Sequence, residues 1–80
     1  MVSLTIMIDP TARLPPYRQL AEIVVTRIKA GIYPKESRLP SETEFMEEFE
    51  LGRSTVRRTM AYLRETGIVE TVPTRGTYVL

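Results

Sequence analysis

Apolar positions recur about every 3.6 residues between Pro16 and Ala30, which predicts the first helix of the chain. The positions that set this period are Leu20, Ile23, Val24, Arg27 and Ile28. Pro16 suits a first helical position because the amide that proline lacks is not needed there. Gly31 follows the last periodic residues, where glycine ends many helices. We therefore expect a helix from about residue 16 to residue 30.

A shorter second helix is predicted at about residues 42–49. Ser41 can offer its hydroxyl to the free amides of the first turn, and Glu44 can reach back to complete a capping box. The apolar stripe of this helix consists of Phe45, Met46 and Phe49. Gly52 is expected to break the chain after it.

A third helix is predicted at about residues 53–66, ending before Gly67. At about 100° of rotation per residue, Val56, Met60 and Leu63 lie on one face and form its core stripe. The face that points away from the core is made of Ser54, Arg57, Arg58 and Ala61. This helix therefore presents cations and a hydroxyl to solvent.

The end of the chain predicts a β-hairpin. Residues 68–72 are rich in β-branched side chains, residues 73–76 form a turn, and residues 77–80 form the second strand. A very short strand is also expected at residues 38–39. Three helices followed by a hairpin describe a winged helix-turn-helix, a mainly α fold with a small β component.

The N-terminal residues 1–12 lie outside the predicted domain. Residues 2–8 alternate between apolar and polar side chains, which predicts either a short strand or a disordered tail. The chain is thus divided into an arm at 1–12 and a domain at 13–80. With 80 residues, there is room for one modest core.

The third helix starts with a concentration of hydrogen-bond donors and cations. These residues are Arg53, Ser54, Thr55, Arg57 and Arg58. Arginine reads guanine with two hydrogen bonds, and hydroxyls bind bases or phosphates. A helix that enters the major groove of DNA by its N-terminal end needs these groups. The residues themselves therefore predict a DNA-binding module.

The net charge of +1 hides an uneven distribution. Residues 1–35 hold five basic and two acidic residues, residues 36–50 hold one and six, and residues 51–80 hold five and two. The basic residues thus flank one acidic helix, and this distribution matters more for phosphate binding than the total.

The composition disfavours other classes of function. The chain has no Cys and no His, so Glu44 and Glu48 lack the partners of a metal site or an acid–base pair. We expect no enzyme, no cofactor and no metal. No apolar run approaches the roughly 20 residues of a membrane span, and a cytoplasmic location is expected. A winged helix used for protein–protein contact is the alternative.

The chain resembles the DNA-binding domain of GntR-type bacterial regulators. The resemblance covers about residues 13–80 in the right order and spacing, and residues 6–10 add a fainter likeness to the HutC and YtrA branches. The matching blocks are PYRQLA at 16–21, GIY at 31–33, RLPSE at 38–42, RSTVRR at 53–58, GIVE at 67–70 and RGTYV at 75–79.

This resemblance implies roles for individual residues. Arg53 and Arg57 match the family's arginines at the operator, and we assign them to guanine edges. Ser54 and Thr55 are assigned to phosphates or, through water, to bases, and Arg58 to the DNA backbone.

The resemblance also implies a wing that reaches the minor groove. Independently of the resemblance, the amide end of the helix that begins at Ser41 is a natural phosphate site. The wing residues assigned to DNA are Thr74, Arg75 and Gly76.

Three positions depart from the family pattern. Thr43 stands where family members usually carry a base-reading arginine, and Gly52 stands where a Ser or Thr usually caps the helix. Thr74 replaces the usual wing glycine. These differences put the usual operator sequence in doubt, and Thr43 remains a candidate DNA contact.

Family members ordinarily continue into a C-terminal domain that binds an effector and dimerises. The chain is therefore expected to be an excised DNA-binding domain, with a minimal plasmid or phage regulator as the alternative. Its partner is expected to be a palindromic operator with one half-site per domain. The isolated chain is expected to be monomeric, and the full-length protein or its DNA complex a homodimer.

Overall fold

A computed structural model describes residues 8–80 of the chain. Three helices are followed by an antiparallel hairpin, which confirms the predicted winged helix-turn-helix architecture. In chain order the elements are α1 (Pro16–Lys29), α2 (Glu42–Phe49), α3 (Arg53–Glu65), β1 (Val69–Val72) and β2 (Gly76–Val79). The strand or tail predicted for residues 2–8 lies outside the described residues except for Ile8. Among the described helices, none has the length and apolar character needed to cross a membrane.

The core lies where α3 packs against α1, α2 and strand β1. Its most deeply buried apolar residues are Leu20, Val24, Phe45, Val56, Leu63, Val69 and Val79. The buried hydroxyl of Thr59 lies 3.0 Å from the Thr55 carbonyl and 3.1 Å from the Tyr17 carbonyl. This contact joins α3 to the first turn of α1, so it helps to fix the angle at which α3 is presented.

The α1 stripe is confirmed at its centre and differs at its end. Leu20, Ile23 and Val24 are buried, whereas Arg27 is only half-buried. The Arg27 guanidinium donates to the Glu48 carboxylate at 2.6 Å and to the Tyr33 hydroxyl at 2.7 Å. This position thus joins α1 to α2 by an ion pair.

The predicted capping box is present at the start of α2. The Ser41 hydroxyl accepts from the Glu44 amide at 3.1 Å, and the Glu44 carboxylate accepts from the Ser41 amide at 2.8 Å. Such a cap stabilises a helix by about 1 kcal/mol. Ser41 therefore fixes the residue at which α2 begins.

The predicted break at Gly52 is present between α2 and α3, and the turn begins two residues earlier. Glu50 adopts the left-handed conformation that ends α2, with φ of 55°. Gly52 is extended, with φ of −75° and ψ of 163°, and it caps α3 without a side chain. The left-handed position of this turn is thus filled by a residue with no special preference for it.

The hairpin is a two-stranded antiparallel sheet. Val69 pairs with Val79 and Val72 with Gly76. In place of the short strand predicted at residues 38–39, Arg38 forms one isolated antiparallel bridge with Tyr78. The wing is therefore attached to the segment that leads directly into α2.

Candidate nucleic-acid interface

The N-terminal half of α3 forms the exposed surface that the sequence predicted. Ser54, Arg57 and Arg58 are exposed, and Thr55 is half-buried. Ala61, predicted on the same face, is also half-buried. The apolar residues of α3 face inward, so this helix can be approached by a partner without unfolding any of the core.

A carboxylate that sequence reasoning did not assign joins the two main arginines of this surface. Glu42 Oε1 accepts from Arg53 Nη1 at 2.9 Å, and Glu42 Oε2 accepts from Arg57 Nε at 2.7 Å. The Glu42 side chain is 33% exposed, against 49% for Arg53 and 65% for Arg57. We call these three residues the Glu42 bridge. Its position at the first residue of α2 follows from the Ser41 cap.

The Glu42 bridge shifts the pKa values of Glu42 and Arg57. The hydrogen bond from Arg57 lowers the pKa of Glu42 below its ordinary value of 4.5, partial burial opposes this, and the hydrogen bond from Arg53 adds to the lowering. The hydrogen bond to Glu42 raises the pKa of Arg57. The Glu42 carboxylate is therefore ionised at neutral pH, and it offsets part of the charge of the two guanidinium groups.

Acid is expected to remove the stability that the Glu42 bridge contributes. Since the pKa of Glu42 is lower in the folded protein, its contribution is present above the ordinary value of 4.5 and is lost as the pH falls through the folded value. We expect Glu42→Gln to lose less stability than the wild type between about pH 5 and pH 3. Urea unfolding at a series of pH values measures this difference. Asp9 and Glu44, whose pKa values are also lowered, remain in both proteins. An equal acid dependence of the two would contradict the expectation.

Arg58 belongs to a stack of cations and aromatic rings at the other side of α3. Its guanidinium carbon lies 4.1 Å from the centre of the Tyr17 ring. Tyr17 meets Tyr62 edge to face at 6.0 Å, and Arg18 lies over Tyr62 at 4.6 Å. Tyr17 and Tyr62 are thus packing groups, as the sequence indicated. The stack limits the positions available to the Arg58 side chain.

A cleft of about 550 Å³ lies between the wing on one side and α3 with the N-terminus of α2 on the other. Four arginines line it, namely Arg38, Arg57, Arg64 and Arg75. Ser41 and Gly76 also line this cleft, together with the carboxylates of Glu42 and Glu44. The other predicted DNA-contacting residues do not line it: Thr43, Arg53, Ser54, Thr55, Arg58 and Thr74. The candidate surface is therefore continuous from α3 to the wing, with a concave part between them.

Two of the cleft arginines were not assigned to the site from the sequence. Arg38 donates to the Arg75 carbonyl at 3.4 Å, and its side chain covers Gly76 so closely that an added Cβ there would lie 2.9 Å from Arg38 Cδ. Arg64 is exposed and donates to the Thr71 hydroxyl at 3.0 Å. The sequence indicated Arg38 only as the first residue of the RLPSE block at 38–42.

The wing tip is exposed. Thr74 adopts a left-handed φ of 63°, a conformation that usually favours glycine, and its hydroxyl donates to the Pro73 carbonyl at 2.6 Å. The Arg75 side chain is exposed beside it.

Among residues 8–80, no cluster of three or more acidic, Cys or His side chains is placed to hold a metal ion.

Several known proteins are similar to this chain in amino-acid sequence and in three-dimensional structure. The repressor NagR of Bacillus subtilis is 36% identical over 72 residues, which are 90% of this chain and 30% of NagR. The crystal structure of the AraR DNA-binding domain in complex with operator ORR3 gives a TM-score of 0.81 at 30% identity, covering 86% of this chain and 83% of that one. YtrA from Sulfolobus acidocaldarius, a GntR-family transcription factor, gives 0.82 at 27% identity, covering 96% and 80%.

A protein-family model also matches most of the chain. The chain spans about a third or less of the length of the curated relatives that it matches. A family model described as bacterial regulatory proteins, gntR family, matches residues 16–79. These relatives are regulators and not enzymes, in agreement with the prediction. Because this family model covers all three helices and the hairpin, the chain belongs to the GntR family of bacterial regulatory proteins.

Proposed function

We propose that this chain is the sequence-specific DNA-binding domain of a transcriptional repressor. The observation that carries the proposal is the exposed α3 surface, where Arg53 and Arg57 stand one helical turn apart and are held by one carboxylate. Its likeness to the operator-bound AraR domain supports DNA as the partner. The repressor assignment draws support from NagR.

In the proposed complex, α3 enters the major groove. Arg53 and Arg57 contact guanine edges, because a guanidinium can donate two parallel hydrogen bonds to one guanine. Ser54 and Thr55 contact phosphates or water-bridged bases. Arg58, stacked on Tyr17, contacts the DNA backbone.

The wing enters the neighbouring minor groove through Thr74, Arg75 and Gly76. One sugar-phosphate strand then passes along the cleft between α3 and the wing. The arginines that line this cleft supply positive charge for it, and the first turn of α2 behind Ser41 supplies backbone amides. Thr43 lies exposed in that first turn, beside the same strand.

The operator is proposed to be a palindrome with one half-site for each domain. Two-fold symmetric regulators place their half-sites about one turn of DNA apart, or a multiple of this distance. One domain alone then binds one half-site weakly, and a homodimer binds the complete operator in the cytoplasm.

Selection from a randomised duplex library, followed by salt titration, tests the proposed function. We expect a defined half-site to be enriched and its affinity to fall with salt, with a log–log slope of about −0.9 for each phosphate neutralised. A scrambled duplex of equal length and base composition is the control. It should bind more weakly at every salt concentration.

The contrary outcome is equally clear. If the selection enriches no sequence, or if an enriched duplex and its scrambled control bind alike, the chain does not recognise a specific DNA sequence. A winged helix that contacts another protein would then be the better interpretation. An uncharged or apolar face on α3 would favour that alternative, whereas the exposed face carries Arg57 and Arg58 beside Ser54.

A further inference from the structure

The Glu42 bridge contains a charge arrangement that simple phosphate binding does not explain. A surface that only attracts phosphates gains nothing from a carboxylate placed between its two leading arginines. Both oxygens of Glu42 are used, one for each arginine. Exposed ion pairs contribute little to folding stability, so stability is a weak reason for this arrangement.

The atoms used in the bridge leave the base-reading groups available. Arg57 is held through Nε, so its two terminal nitrogens, the pair that matches a guanine edge, are not consumed by this contact. Arg53 is held through one terminal nitrogen only. Glu42 thus restricts the positions of both side chains without occupying their full donor capacity.

We propose that Glu42 is a specificity-determining residue, which positions Arg53 and Arg57 for base edges and weakens their attraction to phosphates of any sequence. This inference rests on the proposed function. Two effects follow from it. Restricting two flexible side chains before binding favours the operator complex, because less conformational entropy is lost on binding. The negative charge disfavours non-specific complexes, which depend almost wholly on phosphate contacts.

Two substitutions separate position from charge. Glu42→Gln removes the charge and keeps the length of the side chain. Glu42→Asp keeps the charge but shortens the side chain by one methylene, so it cannot span the same two arginines with the same geometry. Glu47→Gln is the matched control, since Glu47 is an exposed residue of the same helix and is not among the described ion pairs or side-chain hydrogen bonds.

The measured quantity is the ratio of dissociation constants for a scrambled duplex and for the selected operator, at equal salt. We expect Glu42→Gln to lower this ratio about 5- to 30-fold, partly by tighter binding to the scrambled duplex. Glu42→Asp should lower it by weakening operator binding with little change for the scrambled duplex. Glu47→Gln should leave it within about twofold of the wild type. Thermal unfolding of each variant establishes that the fold is retained.

Three results would overturn the inference, and the last of them is distinguishable from the first two. A wild type that binds an operator specifically, with an unchanged ratio in both Glu42 variants, leaves the proposed function intact and shows that Glu42 has no role in specificity. The same holds if Glu42→Gln and Glu47→Gln lower the ratio equally. A wild type that prefers no sequence overturns the proposed function, and this inference with it.

Discussion

An Arg57→Ala chain is expected to bind its operator roughly 10- to 100-fold more weakly than the wild type, which is the range for losing one guanine contact with two hydrogen bonds. The fold should be retained, because the Arg57 side chain is 65% exposed and is not part of the buried core. The loss should be concentrated at one base-pair position of the half-site. Binding titrations with the selected operator and with duplexes altered at single positions measure both effects.

Lys29→Ala is the control for Arg57→Ala. Lys29 is an exposed cation at the end of α1 opposite to Tyr17, so its removal changes the net charge equally. We expect its effect on operator affinity to stay within about threefold, since distant exposed charges are screened by salt. If Arg57→Ala weakens all duplexes uniformly and no more than Lys29→Ala does, α3 does not read bases through Arg57.

A Phe45→Ala chain is expected to lose about 3–5 kcal/mol of unfolding free energy, the usual effect of truncating a buried phenylalanine. Phe45 is 1% exposed, meets Tyr33 edge to face at 6.4 Å and stacks with Phe49 at 6.3 Å. A domain of this size has a total stability of only about 4–12 kcal/mol. The variant should therefore be partly unfolded at room temperature or melt at least about 12 °C lower.

Circular dichroism during urea and thermal unfolding measures the effect of Phe45→Ala. Glu47→Ala, on the exposed face of the same helix, is the control and should change the stability by no more than about 0.5 kcal/mol. A loss below about 1 kcal/mol for Phe45→Ala would show that α2 does not pack on the core as described. It would also remove the physical basis for the position of Glu42, which α2 carries.

The elements that were predicted correctly depend on contacts between neighbours in the chain. The α1 period, the Ser41 capping box and the hairpin turn involve residues a few positions apart, so side-chain spacing along the chain is enough to identify them. The exposed face of α3 follows from the same reasoning, because the core stripe of a helix determines which residues point away from it. The roles of Arg53 and Arg57 at bases remain predictions.

Some features of the structure have no local signal in the sequence. The break at Gly52 was predicted, but the left-handed φ that ends α2 is found at Glu50, a residue with no such preference. Arg64 is exposed in the last turn of α3, and the Thr71 hydroxyl to which it donates lies on the neighbouring strand β1. The spacing of residues along one element identifies neither feature.

By itself, the sequence determined the three helices, the hairpin, the cap of α2 and the cationic face of α3, since local spacing and side-chain chemistry suffice for each. Only the tertiary structure decided that Glu42 joins Arg53 and Arg57, which are 11 and 15 residues away. It also decided that the Arg38 side chain covers Gly76 in the wing. These contacts depend on the angle between α2 and α3 and on the attachment of the wing beside Arg38, and packing of the whole core sets both.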